Sequence, residues 1–347
     1  MSTVAIAPSG AAGSRGIGTY TRKVTHSPML RVIARRLLAA IPVLWGVTFF
    51  TFIMMNLLPG DAAVALLGAN ATPAQVHALE IRLHLNEPFF VRYWHWFVGV
   101  LHGNFGTSVT SGQNVTTILA QRLPVTFELV LYAFIISIVF TVPVALLAAR
   151  KPGGIVDRIS IFVSMAGFSI PGFVLALLLI LIFAVKLGVL PAIGFVPLSQ
   201  SVGGNIKSLT LPALSIGFGL FCGNTRFLRA DIIEQSLSQD YVLTAMAKGA
   251  GPWRVLVRHV LRNSMLGIIT LVGLQMGTLI GGTVIIEQIF SLPGIGQGLL
   301  VAINDRDVVL VEAIVLVFAT CVVLANLITD LLYTVIDPRI RYGGSSN

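Results

Sequence analysis

Three sets of residues in this chain have types and spacings that could do chemistry. The first is basic: Lys248, Arg254, Arg258 and Arg262 gather within Asp240–Asn263, between two strongly apolar runs. Cations this dense suit an anionic leaflet of lipid headgroups, and the stretch also reads as an ordinary connection between membrane spans. From Trp253 on, Trp253, Leu256, Val257, Val260 and Leu261 recur at i, i+3, i+4, i+7 and i+8, with Arg254, Arg258 and Arg262 pointing the other way; this predicts an amphipathic helix. Before it, Asp240 is placed to cap a short helix through Lys248, which Gly249, Gly251 and Pro252 then break. The second set is carboxylates in apolar surroundings: Glu128, Glu287 and Asp330. A carboxylate at membrane depth is costly unless it is paired or faces a water-filled path, so Glu128 is read either as a pathway or gating group or as a hydrogen-bonding group within a helix bundle, and Glu287, at the outer end of the fifth run, as a pathway or gating candidate. Asn326, Asp330 and Tyr333 share a helix face, which gives Asp330 nearby partners. The third set is His77, His84, His95 and His102, four of the six histidines. Histidine is the commonest metal ligand, but no two of these stand at the i, i+4 spacing that puts them on one helix face, and no metal site is expected.

Other chemistries lack their residues. There is no Gly-Lys pair, hence no GxxxxGK[ST] phosphate loop, and no HExxH or Ser/His/Asp grouping. Gly294-x-Gly296-x-Gly298 has the outward form of a nucleotide loop, but no strand precedes it. Cys222 and Cys321, the two cysteines, both fall in apolar runs, which argues against a disulfide framework or a cysteine metal site.

The elements that must position these residues are membrane helices. Of 347 residues 55% are hydrophobic and 11% charged, and the mean hydropathy is +0.89, outside the range of soluble globular domains. Six runs long enough to cross a bilayer are read: Ile33–Leu58, Thr126–Ala149, Ile159–Leu187, Leu211–Leu228, Met265–Ile286 and Val308–Ile336. The net charge of +9 follows topology: Arg15, Arg22, Lys23, Arg31, Arg35, Arg36, Arg150, Lys151, Arg158, Arg226–Arg262, Arg339 and Arg341 fall on one side, and Arg82, Arg92, Arg122, Lys207 and Arg306 on the other. The positive-inside rule puts both termini in the cytoplasm, and nucleic acid is not expected as a partner. The chain divides into a cytoplasmic arm (1–30), a first span (31–58), an extracytoplasmic segment (59–122), a core of five spans (123–337) with the cytoplasmic stretch 230–263, and a tail (338–347).

Within these elements, Thr72-Pro73-Ala74-Gln75 reads as a capping box opening a helix over Ala74–Leu85. The aromatic text around Tyr93, Trp94 and Trp96 suits the membrane interface. Pro171, in GFSIPGF, kinks the third span, with Ser169 or neighbouring helices satisfying the freed backbone. Gly273, Gly277 and Gly281 form a small-residue face, either for close helix packing or lining a pathway.

YVLTAMAKG followed by RVLVRHVLRNSM resembles the cytoplasmic coupling loop of ABC-importer permeases in the peptide/nickel (dipeptide/oligopeptide) subfamily, with matches at Tyr241, Thr244, Ala245, Ala247, Lys248, Gly249, Arg262 and Asn263. RRLLAAIPVLWGVTFFTF…LLPGD, the aromatic extracellular segment, GFSIPGF, FSLPGIGQGLL and the closing DPRIRYGG are similar to the same subfamily, so the resemblance runs from Arg35 to Tyr342. It departs at Ala62, His84, Asn86, Asn104, Val308 and Val309, and in Leu243-Thr244-Ala245, where the wider importer pattern has Glu-Ala-Ala. The resemblance implies an all-α membrane protein with the six-span type I importer permease fold, and a role as permease subunit rather than enzyme. It implies as partners a second homologous permease, two ATP-binding subunits that hold the ATP and Mg, and an extracytoplasmic substrate-binding protein. No cofactor is implied for this chain itself. Asp240, Tyr241, Thr244, Ala245, Ala247, Lys248, Gly249, Arg254 and Arg258 would then face the ATPase. Glu128, Ser169, Pro171, Gly277, Gly281 and Glu287 would border the pathway, and Asp61, Tyr93, Trp94 and Trp96 would meet the binding protein. Di- or oligopeptide is the expected cargo, with nickel chelate, glutathione or haem as alternatives. A secondary transporter would need embedded ion-coupling groups and inverted repeats, and neither is seen.

Overall fold

The computed structural model describes residues 28–57, 72–82 and 86–336. The N-terminal arm apart from its last residues, Asp61, Ala62, His84, the DPRIR ending and the tail lie outside them. Among the described residues the chain is helical, with a single isolated bridge between Thr107 and Asn114. The elements are α1 (Pro28–Leu57), α2 (Pro73–Arg82), α3 (Phe89–Leu101), α4 (Val115–Arg150), α5 (Ile155–Phe168) and α6 (Gly172–Leu179), the last continued by a π turn over Ile180–Lys186. After them come α7 (Val202–Ser238), α8 (Asp240–Ala247), α9 (Pro252–Val255), a π turn over Leu256–Val260, α10 (Leu261–Ile289), α11 (Ile295–Asn304) and α12 (Val308–Ile336). Among the described residues five helices are long and apolar enough to cross a membrane, or up to six if α5 and the α6 segment form one broken span.

The centre is the pair α4 and α7. Both run the same way, and their contacts follow a parallel order: Tyr132 with Asn205, Ser137 with Asn224, Thr141 with Thr225. Leu129, Val130, Ala133, Leu209, Leu211 and Ala213 fill the space between them, together with Ile286 and Phe290 of α10 and the residue after it. α10 and α12 pack antiparallel, and α1 lies against α12, where Arg36 meets Asp330 at 2.8 Å.

Several expectations are corrected. The third span is a pair of helices bent by 100° between Phe168 and Gly172, sharper than a kink. Pro171 starts α6 and has no N–H to offer a continuing helix, while Ser169 satisfies the end of α5 by donating to the Met165 carbonyl at 3.0 Å. The fourth span extends at both ends to Val202–Ser238, capped by the Ser201 side chain on Gly204 N–H at 3.1 Å. FSLPGIGQGLL, assigned to none of the six runs, holds the start of the helix α11. The capping box at Thr72 is present, with Gln75 Oε1 accepting from Thr72 N–H at 2.9 Å, and opens Pro73–Arg82.

Candidate functional site

The basic stretch is built as a helix, a bend and a longer helix. α8 packs back on the end of α7: Val242 is buried beside Ile232, and Tyr241 donates its hydroxyl to Gln235 Oε1 at 2.8 Å. Gly249 ends α8 at φ +82°. Its N–H bonds the Met246 carbonyl at 2.9 Å and the Ala250 N–H bonds Ala245 at 3.1 Å, the paired closure of a helix ending in a left-handed residue. A side chain at that φ costs about 1–2 kcal/mol, so the glycine is required by the backbone, with open space around it. Pro252 then stands in the first turn of α9.

Two details differ from the sequence reading. Asp240 is the first residue of α8, not its cap: Gln239 precedes it and makes no side-chain capping bond. The second helix does not stand alone but continues through the π turn, where Leu261 N–H reaches the Leu256 carbonyl, into α10. The wider turn shifts the phase of the apolar face. Val255, Leu256 and Val260 are the buried residues, while Trp253 is 47% exposed and Val257 also faces outward. Arg150 lies over the Trp253 ring at 5.9 Å. Asp240, Thr244, Ala247, Lys248, Gly249, Arg254 and Arg258 are exposed, and Tyr241 and Ala245 half-buried. With Leu243, Met246 and Trp253 also exposed, the segment presents an apolar surface edged by cations. Between it and Arg150, Ser236 and Leu237 lies an open groove of about 410 Å³.

The carboxylates of the opposite end are held inside. Glu287 is 0% exposed: Thr126 donates to it at 2.7 Å, Gln297 N–H at 2.9 Å, and Thr283 and Gly296 N–H complete its shell. Ile295 N–H bonds Thr126 Oγ1 at 2.9 Å. The first N–H groups of α11 thus end on a carboxylate from α10 and a hydroxyl from α4, a favourable place for negative charge. A Cβ at Gly294 would come 2.3 Å from Glu287 Oε2, and one at Gly298 3.0 Å from Arg122 Cδ. The glycine spacing that has the form of a nucleotide loop serves an internal carboxylate and guanidinium. Glu287 is sealed in this conformation and lines no open path. Glu128 is half-buried and takes a 2.8 Å bond from Asn205, itself fully buried and bonded to the Val196 carbonyl at 2.9 Å.

Of the other pathway candidates, Ser169 and Pro171 are exposed at the break, Gly277 packs near Val322, and Gly281 is exposed with open space where a side chain would go. Tyr93, expected on the outer surface, is 3% exposed. Its ring packs 5.2 Å from Phe49 and 5.4 Å from Phe52, its hydroxyl pairs with Thr48 at 2.9 Å, and burial pushes the phenol pKa up. The alternation of aromatics on α3 buries this face against α1 and leaves Trp94 exposed, with Trp96 half-buried. The described histidines do not converge: His95 pairs with Glu87 at 3.2 Å and His102 Nδ1 sits 2.8 Å from the Val98 carbonyl. Among the described residues no cluster could hold a metal.

Sequence reasoning missed Asn205, the buried Asn224 that links Ser137 to Gln275, the Asp157–Arg229 pair and Asp307. Only the last had a local signal. Asp307 precedes the apolar run of α12 and caps it, accepting from Leu310 N–H at 3.2 Å and from Thr110 Oγ1 at 3.0 Å.

Residues 29–130 match the family of binding-protein-dependent transport system membrane component N-terminal regions, and residues 141–342 match the family of binding-protein-dependent transport system inner membrane components. The chain is 39% identical over 310 residues to the probable peptide ABC transporter permease protein y4tP of Sinorhizobium fredii, covering 89% of this chain and 99% of that one. It is 38% identical over 334 residues to the dipeptide transport system permease protein DppB of Alkalihalophilus pseudofirmus, covering 90% of this chain and all of that one. Among solved structures, the methionine ABC transporter MetNI in an inward-facing form superposes with a TM-score of 0.51 at 17% identity, over 63% of this chain and 96% of that one, a likeness of fold. The chain belongs to the binding-protein-dependent transport system inner membrane component family, as one of its membrane-spanning permeases.

Proposed function

We propose that this chain forms half of the translocation pathway of an ATP-driven importer for di- and oligopeptides, in the inner membrane of a bacterium. Six spans with both termini cytoplasmic place the α8–α9 bend inside, facing an ATP-binding subunit, and place α3, α11 and the Glu287 shell outside, toward an extracytoplasmic binding protein. Two ATP-binding subunits carry the ATP and Mg, and a second homologous permease completes the pathway. ATP binding draws the ATPase subunits together, and the paired coupling segments move with them. Because α9 runs without a loop into α10, displacement at the bend reaches the outer end of that helix directly. The single observation that carries the reading is the exposed, apolar and cation-edged bend built on Gly249, in a chain whose relatives are peptide and dipeptide permeases.

Purification of the tagged chain from its native membrane is the test. A second permease, ATPase subunits and a binding protein are expected with it, and the reconstituted assembly should take up labelled tri-alanine only with ATP. Isolation of the chain alone, still transporting, would overturn the importer reading in favour of a secondary carrier.

A further inference from the structure

Asp157 stands in the first turn of α5, 2% exposed. Arg229 of α7 meets it with two donors, Nε to Oδ1 and Nη2 to Oδ2, the latter at 2.8 Å, and Gly153 N–H adds a third bond at 2.7 Å. A two-point guanidinium–carboxylate contact fixes orientation as well as separation. The other end of α5 is held to the same helix by shape: at Gly167 a Cβ would lie 2.5 Å from Cys222 Sγ and 2.7 Å from Phe218. α5 is therefore seated on α7 at both ends, and the stretch of α7 just beyond Arg229 carries α8 through Ile232, Gln235 and Tyr241. Past the 100° break α6 still packs on α7, with Ala176 buried beside Leu209 and Ala213. A Cβ at Gly172 would make ordinary contact with Ser215 O of α7, 3.7 Å away, and α6 packs on α10 as well. An open groove of about 240 Å³ follows the break, bordered by Gly167, Ile170, Phe173 and Phe218 with Gly282 and Ile285 of α10. Both halves of this span thus rest on α7, and the second answers to α10 as well.

We infer that the Asp157–Arg229 pair is a latch that makes α5 move as one body with the helix bearing the coupling segment, so that the third span flexes at Ser169–Pro171 during transport. Asp157 and Arg229 are then positioning residues for transport. The inference rests on the importer function proposed above.

The intact complex in proteoliposomes, given tri-alanine and ATP, tests it through uptake per ATP hydrolysed. Asp157→Asn is expected to lower that ratio roughly tenfold with hydrolysis changed less than about twofold, and the exchange Asp157→Arg with Arg229→Asp to recover it to within about threefold, the behaviour of a coupled pair. An unchanged ratio in Asp157→Asn, or an exchange no better than Asp157→Arg alone, overturns the latch. Should Asp157→Asn fail to assemble, spin labels in the otherwise unaltered complex decide. Between the ATP-free and the vanadate-trapped states, Phe162→Cys to Leu237→Cys keeps its distance while Phe162→Cys to Val185→Cys changes; the reverse pattern overturns the inference. A complex without tri-alanine uptake defeats the substrate reading, and the label distances still judge the latch.

Discussion

At the scale of single residues, the bend depends on Gly249 because its backbone occupies the left-handed region and closes α8 with two carbonyl bonds. Gly249→Asp adds strain and a negative charge to a surface edged by cations. The expected outcome is an unchanged amount of chain in membranes, by blot, and loss of uptake; retained uptake would separate the bend from coupling. Glu287 makes a different demand. Glu287→Leu leaves the Thr126 hydroxyl and two N–H groups of α11 without their acceptor, each worth about 1–3 kcal/mol when buried, so the melting temperature of the purified protein should fall clearly, with Glu287→Gln milder. Gly294→Ala is expected to destabilise by about 1–3 kcal/mol because the Cβ meets the Glu287 carboxylate, whereas Gly281→Ala, facing open space, should leave the melting temperature in place. The sequence offered Glu287 only as a pathway candidate at the outer end of its run. Its partners were not legible, since Thr126 is remote in the chain and Gly296 and Gln297 return only through a turn.

At the scale of elements, helices were legible where the apolar runs are long, and illegible where one residue changes the path. The run from Ile159 to Leu187 has the composition of one span, and only the backbone at Ile170-Pro171 shows that its halves diverge by 100°. Pro171→Ala restores an N–H that a continuous helix could use. It should straighten the span and reduce uptake without removing the protein from the membrane, and a Phe162→Cys to Val185→Cys label distance longer than in the unaltered protein would report the straightening. The amphipathic face after Trp253 was misphased for a related reason. Periodicity assumes 3.6 residues per turn, and the π turn at Leu256–Val260 breaks that assumption, turning Trp253 outward and Val255 in. Tyr93 was misplaced because aromatic composition signals an interface without saying which rings face the helix beside them.

At the scale of the whole molecule, hydropathy marked out the apolar helices and charge suggested the sense proposed for them, while pairing depended on long-range contacts such as Ser137 with Asn224. The orientation proposed above makes a direct prediction. With Cys222 and Cys321 replaced, Leu198→Cys should react with an impermeant maleimide added to intact cells, and Gly153→Cys should react only after the membrane is opened. The opposite pattern would invert the topology and with it the place of the α8–α9 bend. The uninterrupted path from Pro252 to Ile289 also limits how this chain can change its length. One residue inserted or deleted within α10 would turn everything beyond it by about 100° and carry Glu287 away from Thr126. The wide turn at Leu256–Val260 already accommodates one residue more than an α-helical turn. Removal of a residue there would leave an ordinary helix with both flanks still in register, which makes those five positions the adjustable joint of the stretch from Pro252 to Ile289.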